Sequence, residues 1–185
     1  MKSYKALNNQ VFSSESYKII PIRITDRYKI MKWRNEQIYH LRQASVLTKE
    51  DQDIYFEKII STLFNLKFPS QILFSFFHES EFVGYGGLVH IDWKKRTTEI
   101  SFLMNTDLES IFFEDYWKEF LALIEQVAFK ELNFEKIFVY AYDVRKHLYP
   151  ILVENNYKLT QTKKNNYVFN NKSIDALIYT KYSTL

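Results

Sequence analysis

His90 and Glu99 are the residues of this 185-residue chain whose types and spacing could move a proton. They lie in two strand-like runs, Phe82 to Asp92 and Thr97 to Asn105, joined by Trp93-Lys94-Lys95-Arg96. If that tetrapeptide is the loop of an antiparallel pair, Asp92 faces Thr97, and a regular register sets His90 opposite Glu99 on one face. Asp92 and Ser101 fall on that same face, while Val89, Ile91, Ile100 and Phe102 fall on the other. The first face then reads as a wet cleft and the second as core. A carboxylate beside an imidazole raises its pKa and orients its ring, which suits a proton relay. The plainer alternative is a solvated cross-strand pair worth a few tenths of a kcal/mol up to ~1 kcal/mol. Arg34, Arg42 and Gln43 form a second group, because arginine offers a planar fork of donors to a carboxylate or phosphate. They suit an anionic or hydroxyl-rich ligand, or else are surface charges on a helix and loop.

Composition narrows the chemistry. With no cysteine, disulfides, thiolate metal sites and a cysteine nucleophile are excluded. His40, His78, His90 and His147 show no paired spacing, so the expectation is metal-free chemistry. The net charge of +3 is mild and spread among acidic residues, which gives no footprint for nucleic acid, and Lys163-Lys164 reads as a solvated turn. No apolar run is long enough for a membrane span, and the start Met1-Lys2-Ser3-Tyr4 lacks a signal-peptide core, so the expected location is the cytoplasm.

The length suits one domain over 1–185, with 1–16 as a loosely held arm. Tyr17 to Ile24 reads as a first strand, placed at an edge or bulge by Pro21. A short helix follows from Asp26 to about Gln37, and Thr48-Lys49-Glu50-Asp51 is a capping-box variant opening a helix that ends before Pro69. Gln71 to Phe77, Phe82 to Asp92 and Thr97 to Asn105 make an antiparallel meander. Gly84, Gly86 and Gly87 inside it suggest a bulge or close backbone approach. Tyr116 to Leu132 carries Trp117, Phe120, Leu121, Ile124, Val127 and Ala128 at helical spacing, with Asn133 at the C-cap. A buried strand, Ile137 to Tyr142, and a helix, Lys146 to Asn155, follow. Two last strands, Tyr157 to Thr162 and Ile174 to Lys181, flank a turn at Asn165-Asn166.

This order, with Trp33-Arg34-Asn35, Glu99-Ile100-Ser101 and the run Ala128 to Ile137, resembles the GNAT acetyltransferase superfamily. It is similar to the branches that acetylate ribosomal-protein N termini, aminoglycosides or nucleotide-linked amino sugars. Trp33-Arg34-Asn35 followed by Leu41-Arg42-Gln43 and Leu47-Thr48 looks most like enzymes of surface-sugar pathways. The resemblance implies an α/β (α+β) GNAT fold: a mixed, mostly antiparallel sheet of about seven strands flanked by four helices, with the fourth and fifth strands splayed. It also implies an N-acetyltransferase that uses acetyl-coenzyme A on a small-molecule amine, with no nucleic acid or membrane partner and room for a homodimer.

Glu99 matches the strand position where several members keep a general base. Phe102, Leu103 and Met104 match the strand end where the pantetheine arm enters and a backbone N–H meets the thioester oxygen. Two motifs depart from the family. Aligned on Ala128-Phe129, the three key positions of the glycine-rich pyrophosphate loop fall on Phe112, Asp115 and Trp117, with Tyr116 between the last two. Glycines serve there because only bare backbone lets a diphosphate reach the helix N-terminus. Asp115 is instead expected to cap the helix, and Trp117 to anchor the core. In the last motif Arg145 falls near the usual asparagine and Leu152 on the usual tyrosine, while Tyr149 sits one turn earlier, a candidate acid. Two readings follow: an enzyme holding its cofactor differently, or a binding or regulatory module that kept the fold and lost the chemistry.

Overall fold

The computed structural model describes residues 2–184. The sheet is built from β1 (Phe12–Ser13), β2 (Tyr17–Pro21), β3 (Ile72–His78), β4 (Glu81–Asp92), β5 (Thr97–Met104), β6 (Lys136–Tyr142), β7 (Lys158–Phe169) and β8 (Lys172–Tyr182). Their order is β1-β2-β3-β4-β5-β6-β8-β7, antiparallel except for the parallel β5–β6 pair. The helices are α1 (Arg27–Glu36), α2, α3 (Glu109–Glu125) and α4 (Leu148–Glu154). α2 starts as Lys49–Ile54, passes through a π-helical stretch Tyr55–Ile60 and finishes as Ser61–Leu63.

β3 carries no charged residue before His78 and is buried along nearly its whole length, as suits a central strand. Phe76 is fully buried and meets Phe102, Tyr116 and Phe120 edge-on at 5.6 to 5.7 Å. Phe102 stacks on Phe120 at 4.1 Å, which locks α3 to β5. The backbone of β4 approaches its neighbours closely. A Cβ at Gly86 would lie 2.2 Å from the Ser101 carbonyl oxygen and 2.8 Å from Phe120.

The structure revises several expectations. The N-terminal arm is held, with Tyr4 1% exposed, its hydroxyl donating to the Leu73 carbonyl at 3.0 Å and accepting from the Leu73 N–H. Its β1 strand brings the sheet to eight strands. The Thr48 box forms, with Asp51 N–H donating to Thr48 and the Asp51 carboxylate accepting in return. Asn133 takes the left-handed conformation of a C-cap, at φ 53°. The last hairpin turns at Asn170-Asn171, both at positive φ, whereas Asn165-Asn166 lie inside β7 at a register shift.

The largest revision concerns Phe112 to Trp117, which form no loop. The helix already runs from Glu109, so these residues occupy its first turns. The physical reason is the missing glycine itself: nothing between Thr106 and Leu132 interrupts a helix. Asp115 is exposed on the helix and caps nothing. Asn105 serves instead, accepting from the Asp107 N–H at 3.2 Å before a 3₁₀ turn, Thr106–Leu108.

β5 and β6 pair from Thr97↔Lys136 to Ile100↔Val139 and no further. Beyond that point β5 continues with β4 and β6 with β8. The gap leaves backbone polar groups without a ladder partner, and the site lies there.

Candidate active site

A cleft of about 590 Å³ fills the gap between β5 and β6. Glu99, Ser101 and Phe102 line it from β5, Tyr140 and Tyr142 from β6, and Arg34, His40 and Arg42 from the α1 side. Glu99 is 5% exposed and ion-paired to Arg42, whose guanidinium also lies 4.6 Å from the Tyr140 ring centroid. Burial pushes the Glu99 carboxyl above its usual range, against the opposing pull of Arg42 and His90.

His90 reaches this cleft by a route the sequence did not show. Asp92 pairs with Thr97 as expected, but Val89 stands opposite Glu99, so His90 and Ile91 together face Thr98. This is a β-bulge, with His90 at φ 50° and the Thr98 hydroxyl donating to the Val89 carbonyl at 2.8 Å. The regular register fails by one residue, and Glu99 is buried rather than on a wet face.

The Trp33-Arg34-Asn35 tripeptide acts as a clamp. Trp33 is buried against Phe82 at 4.9 Å. Arg34 donates through Nη1 to the Tyr85 hydroxyl at 2.8 Å and through Nε to Gln43 at 2.9 Å. Asn35 accepts from the Leu47 N–H at 2.8 Å and donates to its carbonyl at 2.9 Å. Gln43 donates to Asn35 at 3.1 Å and does not line the cleft, so it positions Arg34 and the segment carrying Arg42.

A buried polar chain crosses the far end of the cleft. Gln37, 1% exposed, donates to the Met104 carbonyl at 2.8 Å. Arg145 Nη1 lies 3.0 Å from His40 Nε2 and 3.4 Å from Nδ1, and Nε2 also lies 3.2 Å from Gln37 Oε1, so the tautomer of the neutral ring sets which of these contacts is its hydrogen bond. Burial first, then the Arg145 charge, keeps His40 far below its usual range and therefore neutral. Arg145 Nη2 donates to Glu109 Oε1 at 2.7 Å.

Of the positions expected at a cofactor, Phe102, Trp117 and Arg145 line the cleft. Leu103 and Met104 are core residues outside its lining, with the Met104 carbonyl already taken by Gln37. Phe112 and Tyr116 stack on each other at 5.1 Å and meet His78 of β3, away from the cleft, while Asp115 faces solvent. Tyr149 also lies outside. Its hydroxyl donates to Asp143 at 2.8 Å, its ring stacks on Tyr179 at 5.5 Å, and its pKa is raised by burial and then by Asp143. Gln37, His40, Glu109 and Tyr140 were not singled out by sequence. Nothing in their spacing marks them, because three separate segments, 37–40, 109 and 140, bring them together.

The gap fits an elongated thioester cofactor. It has unpaired strand backbone along one side, two aromatic walls in Phe102 and Trp117, and at its end Arg145, whose buried Nε has no hydrogen-bond partner. Among the described residues no group of three His, Cys, Asp or Glu side chains could hold a metal ion, and no helix is long and apolar enough to cross a membrane.

Comparison with known proteins agrees with this geometry. No curated protein matches the sequence. Among solved structures, the spermidine N-acetyltransferase from Vibrio cholerae in complex with CoA and spermine is 12% identical, with TM-score 0.77 over 91% of this chain and 96% of that one. RimL, a ribosomal alpha-N-protein acetyltransferase in complex with coenzyme A, is 11% identical, with TM-score 0.77 over 93% and 97%. A probable acetyltransferase from Chromobacterium violaceum is 10% identical, with TM-score 0.74 over 98% and 90%. At such identities these likenesses establish the shared fold. The family model described as an acetyltransferase (GNAT) domain matches residues 19–178, nearly the whole of the chain, which therefore belongs to the GNAT acetyltransferases.

Proposed function

We propose that this N-acetyltransferase moves the acetyl group of acetyl-coenzyme A to the primary amine of a small molecule that also carries an anionic group. A nucleotide-linked amino sugar is the acceptor we favour. The observation behind this reading is the position of Glu99, buried beside the point where β5 and β6 part and flanked by guanidinium groups.

Acetyl-coenzyme A in the gap supplies an acetyl group activated as a thioester. Phe102, Trp117 and Arg145 would hold it there. Glu99 accepts the proton of the incoming ammonium, a task its raised pKa suits. Backbone N–H groups of β5 beyond Ile100 have no β6 partner, and those directed into the gap can meet the developing oxyanion. Arg34, held by Tyr85 and Gln43, and Arg42, resting on Tyr140, face the acceptor's anionic group.

The charged lining argues about the acceptor. Three arginines and a single carboxylate, Glu99, surround the cleft, so a polyamine would meet like charge there. Purified protein with acetyl-coenzyme A, followed by thiol release, should turn over nucleotide-linked amino sugars with kcat/KM at least about tenfold above spermidine. A preference for spermidine would contradict the proposal.

A further inference from the structure

We propose that Glu109 occupies, as an intramolecular stand-in, the anion site through which Arg145 holds the phosphates of the cofactor, and that binding exchanges this carboxylate for phosphate. The inference rests on the cofactor reading above.

Arg145 enters from the connection between β6 and α4 and is 5% exposed, yet it is used incompletely. A guanidinium presents its Nε and the adjacent Nη2 as one side-on fork, which takes two oxygens of a single anion. Arg23 shows the filled case in this same chain, with Nε at 2.7 Å and Nη2 at 2.6 Å from the two oxygens of Asp26. In Arg145 only Nη2 is engaged, by one oxygen of Glu109, while Nε is buried and has no partner. The fork is half filled.

Arg145 lines the cleft, and its engaged half meets Glu109, the first residue of α3. The helix dipole at this end favours negative charge. Glu109 supplies a negative charge there but a poor fit, since burial pushes its carboxyl above the usual range despite Arg145. The surroundings hold the guanidinium in place: the Phe113 ring lies 4.7 Å from it and His40 Nε2 lies 3.0 Å from Nη1. As placed, Glu109 uses one oxygen on this fork, whereas a phosphate free to orient can fill both of its positions.

Calorimetric titration with coenzyme A and with pantetheine, which lacks the phosphates, separates the alternatives. Glu109→Gln should bind coenzyme A about tenfold more tightly than the wild type, with pantetheine affinity unchanged. Arg145→Lys, which keeps the charge and loses the fork, should weaken coenzyme A by at least about tenfold and spare pantetheine. Equal gains for both ligands in Glu109→Gln, or no gain, would overturn the exchange while leaving the acetyltransferase reading intact. If Arg145→Lys fails to fold, the Glu109→Gln comparison decides alone. If neither wild type nor Glu109→Gln binds coenzyme A, the exchange and the cofactor reading fall together.

Discussion

Val89, not His90, stands opposite Glu99 in the β4–β5 pair. The bulge at His90 and Ile91 takes His90 from the position directly opposite Glu99, which is buried with Arg42 as its ion-pair partner. The two groups therefore have unequal roles. Glu99→Gln should lower kcat/KM by about 10²–10⁴. His90→Asn, which tolerates the positive φ, should lower it by less than about tenfold. Equal losses in steady-state kinetics would restore a His90–Glu99 relay.

The pH dependence follows from the raised pKa of Glu99. Its protonation in the fold is easier than in the unfolded chain, so its stabilising contribution is full below the unfolded pKa and is lost as pH rises through the folded value. At neutral pH ionised Glu99 thus costs stability. Glu99→Gln should melt above wild type at pH 8, by roughly 2–4 °C for each kcal/mol relieved, and the difference should vanish in acid. The acid limb of wild-type kcat/KM should lie above the ordinary carboxylate value of about 4.3. A melting point lowered by the substitution at pH 8 would contradict this.

Gly86 tests the packing beneath the site. A methyl group there would meet the Ser101 carbonyl oxygen at 2.2 Å, against 2.9 Å from the Leu103 oxygen at Gly84. Gly86→Ala should cost about 1–3 kcal/mol, more than Gly84→Ala, in chemical denaturation. The reverse order would show that β4 and β5 give way at Ser101.

Tyr149 offers a negative control. Its hydroxyl is committed to Asp143, so Tyr149→Phe should cost about 1 kcal/mol of stability and change kcat/KM by less than about twofold. A hundredfold fall would place it in the reaction after all.

Much of the fold was legible in the sequence because local signals carried it. The Thr48 box, the Asn133 cap, the helical spacing of Trp117 to Ala128 and the Asp92–Thr97 hairpin all rest on neighbouring residues. The missing glycines were legible too, but their consequence was not: they lengthen α3 rather than spoil a loop. The bulge at His90 has no local mark, since a strand of regular alternation reads equally well through it. The Gln37–His40–Arg145–Glu109 chain joins residues up to 108 positions apart, from 37 to 145, and only the folded β5–β6 gap brings them together.

Hydrogen exchange of the wild-type protein with and without acetyl-coenzyme A tests the central claim most directly, because it reports where the cofactor lies as well as whether it binds. Protection is expected at 101–109, along β5 and the start of α3, and at 140–148, along the end of β6 and the approach to α4. No protection at about 1 mM cofactor, or protection confined to residues outside the β5–β6 gap, would contradict the account.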